Sequence, residues 1–175
     1  GYNQKLMEPL LTERLILRPF SLDNAKDIFE LNGDPDVMKY TGDQPFGSIA
    51  EAREFISNYN HFEKWKRGRY GVFLRENNTF IGWCGLKYHE DTGETDLGYR
   101  FKKVYWGKGY GTEAASICIT DGFTRLHLQR IYAEAYTENI GSIRIMEKVG
   151  MKFLKNITFE DAPGKVFEML KTNYK

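Results

Sequence analysis

The stretch VYWGKGYGTEAA, residues 104–115, places Gly107, Gly109 and Gly111 at alternate positions and follows them at once with helix formers. Glycine at this density is costly unless the backbone must turn left-handed or approach something closely. A strand, a glycine turn and a helix in succession leave the first-turn N–H groups unpaired, with the positive end of the helix dipole beside them. Such a terminus suits a phosphate or pyrophosphate, and Lys108 adds charge. Two phosphate-binding patterns do not apply. Thr112 stands where the fingerprint G-x-G-x-x-G needs its third glycine, and Gly109 stands where a P-loop needs Ser or Thr after Gly-Lys. The turn therefore either holds an anion on its backbone or is a tight corner that binds nothing.

Other polar residues have usable spacing. In GETDLGYRF, residues 93–101, strand alternation puts Glu94, Asp96, Gly98 and Arg100 on one face and Thr95, Leu97, Tyr99 and Phe101 on the other. A bulge would reset that alternation. Asn139, Ser142 and Met146 fall at i, i+3 and i+7, one face of a helix, and Asn139 is also a good N-cap. His61, His89 and His127 lack metal-ligand spacing to each other or to Cys84 and Cys118, so no metal is expected. The two cysteines lie in apolar runs and read as buried thiols in a reducing compartment.

The elements that would position these groups follow from periodicity and caps. RLILRPF (14–20) alternates as a first strand, and Ser21 opens a short helix to about Leu31, ended by NGDPD. Residues 37–47 are irregular and aromatic. Ser48 and Glu51 then form an S-x-x-E capping box for a helix running to about Arg67. Strands near 70–75, 79–88 and 94–101 form an antiparallel meander with turns at ENN and EDTG. A buried helix over 110–126, a strand over 130–137 and a helix ending at Gly150 come next. A final hairpin crosses DAPG at 161–164. The order β-α-α-β-β-β-α-β-α-β-β predicts an α/β protein, a mixed sheet with helices on both faces.

Composition bounds the function. The 175 residues suit one domain spanning 1–175, and 41% hydrophobic with 28% charged residues is an ordinary globular balance. Twenty-five basic against 24 acidic residues argue against a dedicated nucleic-acid binder. No apolar run approaches membrane-spanning length and the start lacks a secretory signal, so the expectation is a cytoplasmic protein with no membrane partner. Aromatics at 15% exceed what a core requires and predict an aromatic-lined cleft.

The turn Trp106-Gly107-Lys108-Gly109-Tyr110-Gly111 resembles the acetyl-CoA pyrophosphate loop of the GNAT superfamily, Arg/Gln-x-x-Gly-x-Gly/Ala, with Trp106 departing at the first position. YWGKGYGTEA, LLTERLILRPF (10–20) and TENIGSIRIMEKVGMKF (137–153) together resemble the branch that contains the ribosomal-protein N-terminal acetyltransferases. The resemblance implies a GNAT-like sheet splayed between its fourth and fifth strands and an N-acetyltransferase using acetyl-CoA as co-substrate. It implies that Trp106, Gly107, Lys108, Gly109, Tyr110, Gly111 and Thr112 hold the pyrophosphate. Backbone groups of Tyr99, Arg100 and Phe101 would pair with the pantetheine arm, with Asn139 and Ser142 beside it.

Transfer to an amine needs a proton acceptor, donors for the oxyanion and a proton for the departing thiolate. The resemblance implies Asp96 as the base, acting through a water, with Glu94 and Glu134 as alternatives, and an amide near Leu97 as an oxyanion donor. Met146 replaces the tyrosine that often protonates the thiolate in this superfamily, and Ser142 is the hydroxyl the resembling branch offers instead. The expected acceptor is a protein N-terminal amine. The alternatives are a small amine (polyamine, aminoglycoside or amino acid) or a CoA-binding module without catalysis. A monomer or homodimer is compatible. Asp34, Asp36, Asp43, Glu90, Asp91, Glu94, Glu160 and Asp161 would attract a cationic acceptor or merely solvate loops, with Tyr40, Phe46 and Trp83 as walls.

Overall fold

A computed structural model describes residues 7–174. The first predicted strand is present as β2, Leu15–Arg18, and a shorter strand β1, Leu10–Leu11, folds back on it antiparallel. Thr12 makes the corner: its N–H donates to the Leu15 carbonyl at 3.0 Å and its hydroxyl accepts the Leu15 N–H at 3.0 Å. A 3-10 turn over Leu22–Asn24 leads into α1, Ala25–Gly33. The NGDPD stop then holds a helical turn of its own, α2, Pro35–Met38, with the Asp34 carboxylate accepting the Asp36 N–H at 2.9 Å.

The capping box opens α3, Ile49–Asn58, where Ser48 Oγ accepts the Glu51 N–H at 3.1 Å and Glu51 reaches back to the Gly47 N–H at 2.7 Å. The helix expected to run to Arg67 breaks instead at Tyr59, and α4 covers His61–Trp65. Tyr59 is extended at ψ 111°, its ring stacks on His61, and its hydroxyl accepts the Arg69 N–H at 2.8 Å. That tertiary bond outweighs the helical propensity of the segment.

The meander is β3, Arg69–Leu74, β4, Phe80–His89, and β5, Glu94–Phe101. It is followed by α5, Tyr110–Thr124, β6, Arg130–Tyr136, α6, Ile140–Lys148, and the hairpin β7, Lys152–Thr158, with β8, Pro163–Leu170. The strand order is β1-β2-β3-β4-β5-β6-β8-β7. All neighbours are antiparallel except β5 and β6, which are paired at the single position Asp96↔Tyr132. By contrast β5 follows β4 from Gly82↔Phe101 to His89↔Glu94. Beyond Asp96 the two halves of the sheet diverge, and a gap opens between them, as the resemblance implied.

One face of the sheet packs on α5, with Leu17, Val72, Cys84, Leu97 and Ile131 against Ala115, Cys118, Ile119 and Phe123. The small Ala114 and Ala115 at the start of α5 are fully buried and let the helix lie close to the strands. The opposite face carries a second cluster, Phe20, Phe73 and Phe80 against Ile28, Leu31, Ala52 and Ile56 of α1 and α3. Helix α6 ends at Gly150 as predicted, at φ +98°. The Gly150 N–H bonds the Glu147 carbonyl and the Met151 N–H bonds the Met146 carbonyl, each at 3.0 Å, with both methionines buried. Gly150→Ala should therefore lower unfolding free energy by about 1–2 kcal/mol, the cost of a side chain in the left-handed region. Urea denaturation checks it, and an unchanged midpoint would contradict this account of the helix end.

Candidate active site

The glycine turn follows β5 through a 3-10 turn at Lys103–Tyr105. Gly107 at φ +73° and Gly109 at φ +84° are both left-handed, and Gly109 is the N-cap of α5. The first amide paired inside the helix is Glu113, donating to the Gly109 carbonyl at 3.0 Å. The amides of Tyr110, Gly111 and Thr112 therefore lead the helix without an intrahelical acceptor, the arrangement an anion needs. Gly111 also has a packing role. Its φ is ordinary, and an added Cβ would lie 2.5 Å from Ile145 Cδ1 on α6, so its smallness lets α6 approach α5. Trp106 donates its indole N–H to the Phe101 carbonyl at 2.8 Å and latches the turn to the end of β5. The Lys108 side chain is exposed.

The edge of β5 along the gap is set by alternation. The Lys102 N–H pairs with the Ile81 carbonyl on β4 at 2.9 Å, so the backbone groups of Arg100 also face β4 and those of Tyr99 and Phe101 face the gap. Two of the three residues expected along a pantetheine arm thus turn backbone toward the gap. Arg100 is the exception. Its guanidinium bonds Asn32 on α1 at 2.8 Å and Asp43 at 2.7 Å, and lies 5.2 Å from the Trp83 ring. Leu97 sits beside the Asp96↔Tyr132 pair, where β5 is still joined to β6, and Tyr99 is the next residue on that edge.

Across the gap, Tyr99 and Ser142 are linked twice. The Tyr99 hydroxyl donates to the Ser142 carbonyl at 2.7 Å and accepts from Ser142 Oγ at 3.1 Å. Burial pushes the Tyr99 phenol up, so it stays protonated and neutral. Asn139 caps α6, its side chain accepting the Ser142 N–H at 3.3 Å. Met146, expected on the same helix face, is buried in the main core.

The three candidate carboxylates have different surroundings. Asp96 is engaged on both oxygens, with Arg69 Nη2 at 2.8 Å from Oδ1 and His89 Nε2 at 2.6 Å from Oδ2. Burial raises its carboxyl, but Arg69 and the His89 hydrogen bond outweigh it and hold the group below the usual range. A carboxylate so engaged is a poor proton acceptor. Glu94 is paired with Arg130. Glu134 lies on the same face of β6 as Tyr132, one alternate position beyond the last β5–β6 pair, and has no ion-pair partner among the described residues. Burial and then the charge of Asp96 raise its carboxyl. Those same two causes, with Glu134 third, push Tyr132 up to about 12. The alternation in RIYAEAY, with Ile131, Ala133 and Ala135 buried, is the sequence signal that puts Glu134 opposite the core.

On that face the loop after α2 meets the β7–β8 turn. Tyr136 stacks on Phe159, lies 6.2 Å from Tyr40, and donates to Asp161 at 2.8 Å. Asp43 and Asp161 are thus gathered near Tyr136 and Arg100. Asp34 is an N-cap, Asp36 pairs with Lys103, and Phe46 turns away to pack on Phe55 of α3.

Comparison with known proteins agrees with this architecture. The family model described as Acetyltransferase (GNAT) domain matches residues 14–152, and the chain belongs to that family. It is 33% identical to the uncharacterized N-acetyltransferase p20 of Bacillus licheniformis, over 96% of this chain and 99% of that protein. Its fold matches the ribosomal-protein-S5-alanine acetyltransferase of Vibrio fischeri with a TM-score of 0.82 at 14% identity, covering 97% and 100% of the two chains. It matches the Vibrio cholerae spermidine N-acetyltransferase, solved with CoA and spermine, with a TM-score of 0.80 at 20% identity, covering 93% and 99%. The protein is an acetyl-CoA-dependent N-acetyltransferase.

The engagement of Asp96 has a measurable consequence. Asp96→Asn leaves the largely buried Arg69 without its counter-charge and should cost about 3 kcal/mol of stability. The folded carboxyl is depressed, so this contribution is present above the unfolded value near pH 3.9 and is lost as pH falls through the folded value. Urea melts at pH 7 and pH 3 should show the wild-type advantage shrinking in acid. A fully stable Asp96→Asn protein would contradict the structural role.

Proposed function

We propose that the protein acetylates a primary amine, in a ternary complex, with Glu134 as the proton acceptor, and that the acceptor is a protein N-terminus. The observation that carries this is the unpaired, raised carboxylate of Glu134 at the fork between β5 and β6. Acetyl-CoA, when bound, supplies the acetyl group as a thioester activated toward amines. The residues present fit it: the Tyr110–Thr112 amides would hold its pyrophosphate, and the backbone of Tyr99 with the Phe101 N–H its pantetheine amides.

An α-amino group has a pKa of about 8, so a useful fraction is neutral near pH 7.5. Its nitrogen becomes strongly acidic once it bonds to carbon, and Glu134 then accepts the proton directly or through one water. The Ser142–Tyr99 hydroxyl pair supports the leaving side, since both groups are neutral donors bridging β5 and α6. Asp96 is assigned an indirect part: with Arg69 and His89 it fixes the paired end of the fork and keeps a negative charge near Glu134, which favours the proton there.

The acceptor reading rests on charge. Arg100 pairs with Asp43, Asp161 keeps its charge while accepting the Tyr136 hydroxyl, and Glu134 is a carboxylate next to the last β5–β6 pair with no ion-pair partner among the described residues. A carboxylate placed at the fork itself suits a single ammonium at the end of a segment. The rings of Tyr40, Tyr136 and Phe159 favour a second reading, a small polyamine held by cation–π contact.

Glu134→Gln should lower kcat by about 10²-fold or more while leaving calorimetric CoA affinity unchanged. In the wild type, kcat/KM should fall in acid with an apparent pKa above the usual glutamate value of about 4.3, and the variant should lack that limb. An intact acid limb in Glu134→Gln would place the base elsewhere. For the acceptor, a panel of N-terminal peptides, spermidine, an aminoglycoside and free amino acids should give the highest kcat/KM for peptides, with little salt dependence. A preference for spermidine that weakens steeply with ionic strength would select the polyamine reading instead.

A further inference from the structure

The segment LLTERLILRPF is distant from the gap in sequence, yet two of its residues end at the glycine turn. Glu113, in the first turn of α5, is occupied on both oxygens. Its Oε1 accepts Arg14 Nε at 2.7 Å, and its Oε2 accepts the Thr12 hydroxyl at 2.6 Å and the Arg14 N–H at 2.9 Å. Arg14 Nη1 donates onward to the Lys108 carbonyl at 3.1 Å, and its guanidinium lies 4.2 Å over the Tyr110 ring. A Cβ on Gly109 would come 3.3 Å from Arg14 Nη2. One arginine therefore touches or borders the turn at residues 108, 109, 110 and 113.

We infer that Thr12 and Arg14 are positioning residues for the cofactor-binding turn, clamping it through Glu113 and the Lys108 carbonyl into the form that receives a pyrophosphate. This rests on the assignment of residues 107–112 as the pyrophosphate loop. Two physical reasons support it. Gly107 and Gly109 give the turn its left-handed path but also its freedom, and a turn left free must be ordered at the moment of binding. The clamp orders it beforehand, from the β1–β2 corner that Thr12 itself fixes. In addition, a carboxylate in the first turn of α5 would repel an anion arriving at that same helix end, and the Arg14 charge cancels it.

The arrangement needs the planar fork of arginine, since Nε and Nη1 hold two different partners at once. A lysine supplies the charge alone. A purely electrostatic role and a clamp thus make opposite forecasts for Arg14→Lys and for Glu113→Gln, which removes the repelling charge together with the anchor.

The test is calorimetric titration of CoA into wild type, Arg14→Lys, Glu113→Gln and Thr12→Val, with melting temperatures taken without ligand. The clamp predicts about tenfold weaker CoA binding for Arg14→Lys and Glu113→Gln, and a smaller loss for Thr12→Val, which removes the hydroxyl's bonds to Glu113 and to the Leu15 N–H but keeps the Arg14–Glu113 pair. In turnover the loss should fall on the acetyl-CoA KM rather than on kcat. Folded variants that bind CoA within twofold of wild type, with only a lowered melting temperature, would reduce the cluster to a structural bridge and overturn the inference. Full rescue by Arg14→Lys, or tighter binding by Glu113→Gln, would overturn it in favour of simple electrostatics. Failure of the wild type itself to bind CoA would reject the loop assignment beneath it.

Discussion

The single parallel pairing of β5 with β6 at Asp96↔Tyr132 is the constraint from which the rest of the site follows. Each half of the sheet is well paired within itself, β5 along β4 and β6 along β8. The right-handed twist of two such halves carries them apart once nothing joins them. Divergence leaves backbone groups of Tyr99 and Phe101 facing a gap instead of a neighbouring strand. Unpaired strand edges are costly when covered and useful when a ligand pairs with them.

Every functional group can be located by its relation to that fork. At its closed end Asp96, Arg69 and His89 form a largely buried hydrogen-bonded cluster. Just beyond the last pair stands Glu134. At the open end α5 presents its leading amides, and Tyr99 and Ser142 bridge from β5 to α6. Strand alternation assigns the two sides: Tyr99 and Phe101 lie on the α5 side, while Arg100, Glu134 and Tyr136 lie on the side of α1 and the β7–β8 turn. On the proposed reading, co-substrate and acceptor would approach from opposite faces, the near-attack arrangement direct transfer requires.

Much of this was legible in the sequence because it is local. The glycine turn, the S-x-x-E cap at Ser48, the Gly150 helix end and the alternating faces of β5 and β6 are each written within a few residues. What was not legible depends on partners far apart in the chain. The tyrosine that breaks the helix at Tyr59 does so by bonding Arg69 across the fold. Asp96 looks like a free carboxylate beside a glycine turn until Arg69 arrives from β3 and His89 from β4. Glu134 is proposed as the base because it has no ion-pair partner among the described residues, and spacing carries no signal of that. The close approach of Ile145 on α6 to Gly111 is likewise a contact between distant segments. Thr12 and Arg14 stand 101 and 99 residues from Glu113, and their types alone do not announce a joint task.

The central claim is that the fork between β5 and β6, together with the start of α5, receives the cofactor. Amide hydrogen exchange with and without CoA tests it residue by residue. Protection on adding CoA should appear at Tyr99, Phe101 and Tyr110–Thr112, and should be absent from β1, β7 and the outer face of α3. Protection confined to those latter segments, with the amides of β5 and α5 unchanged at saturating CoA, would contradict the account.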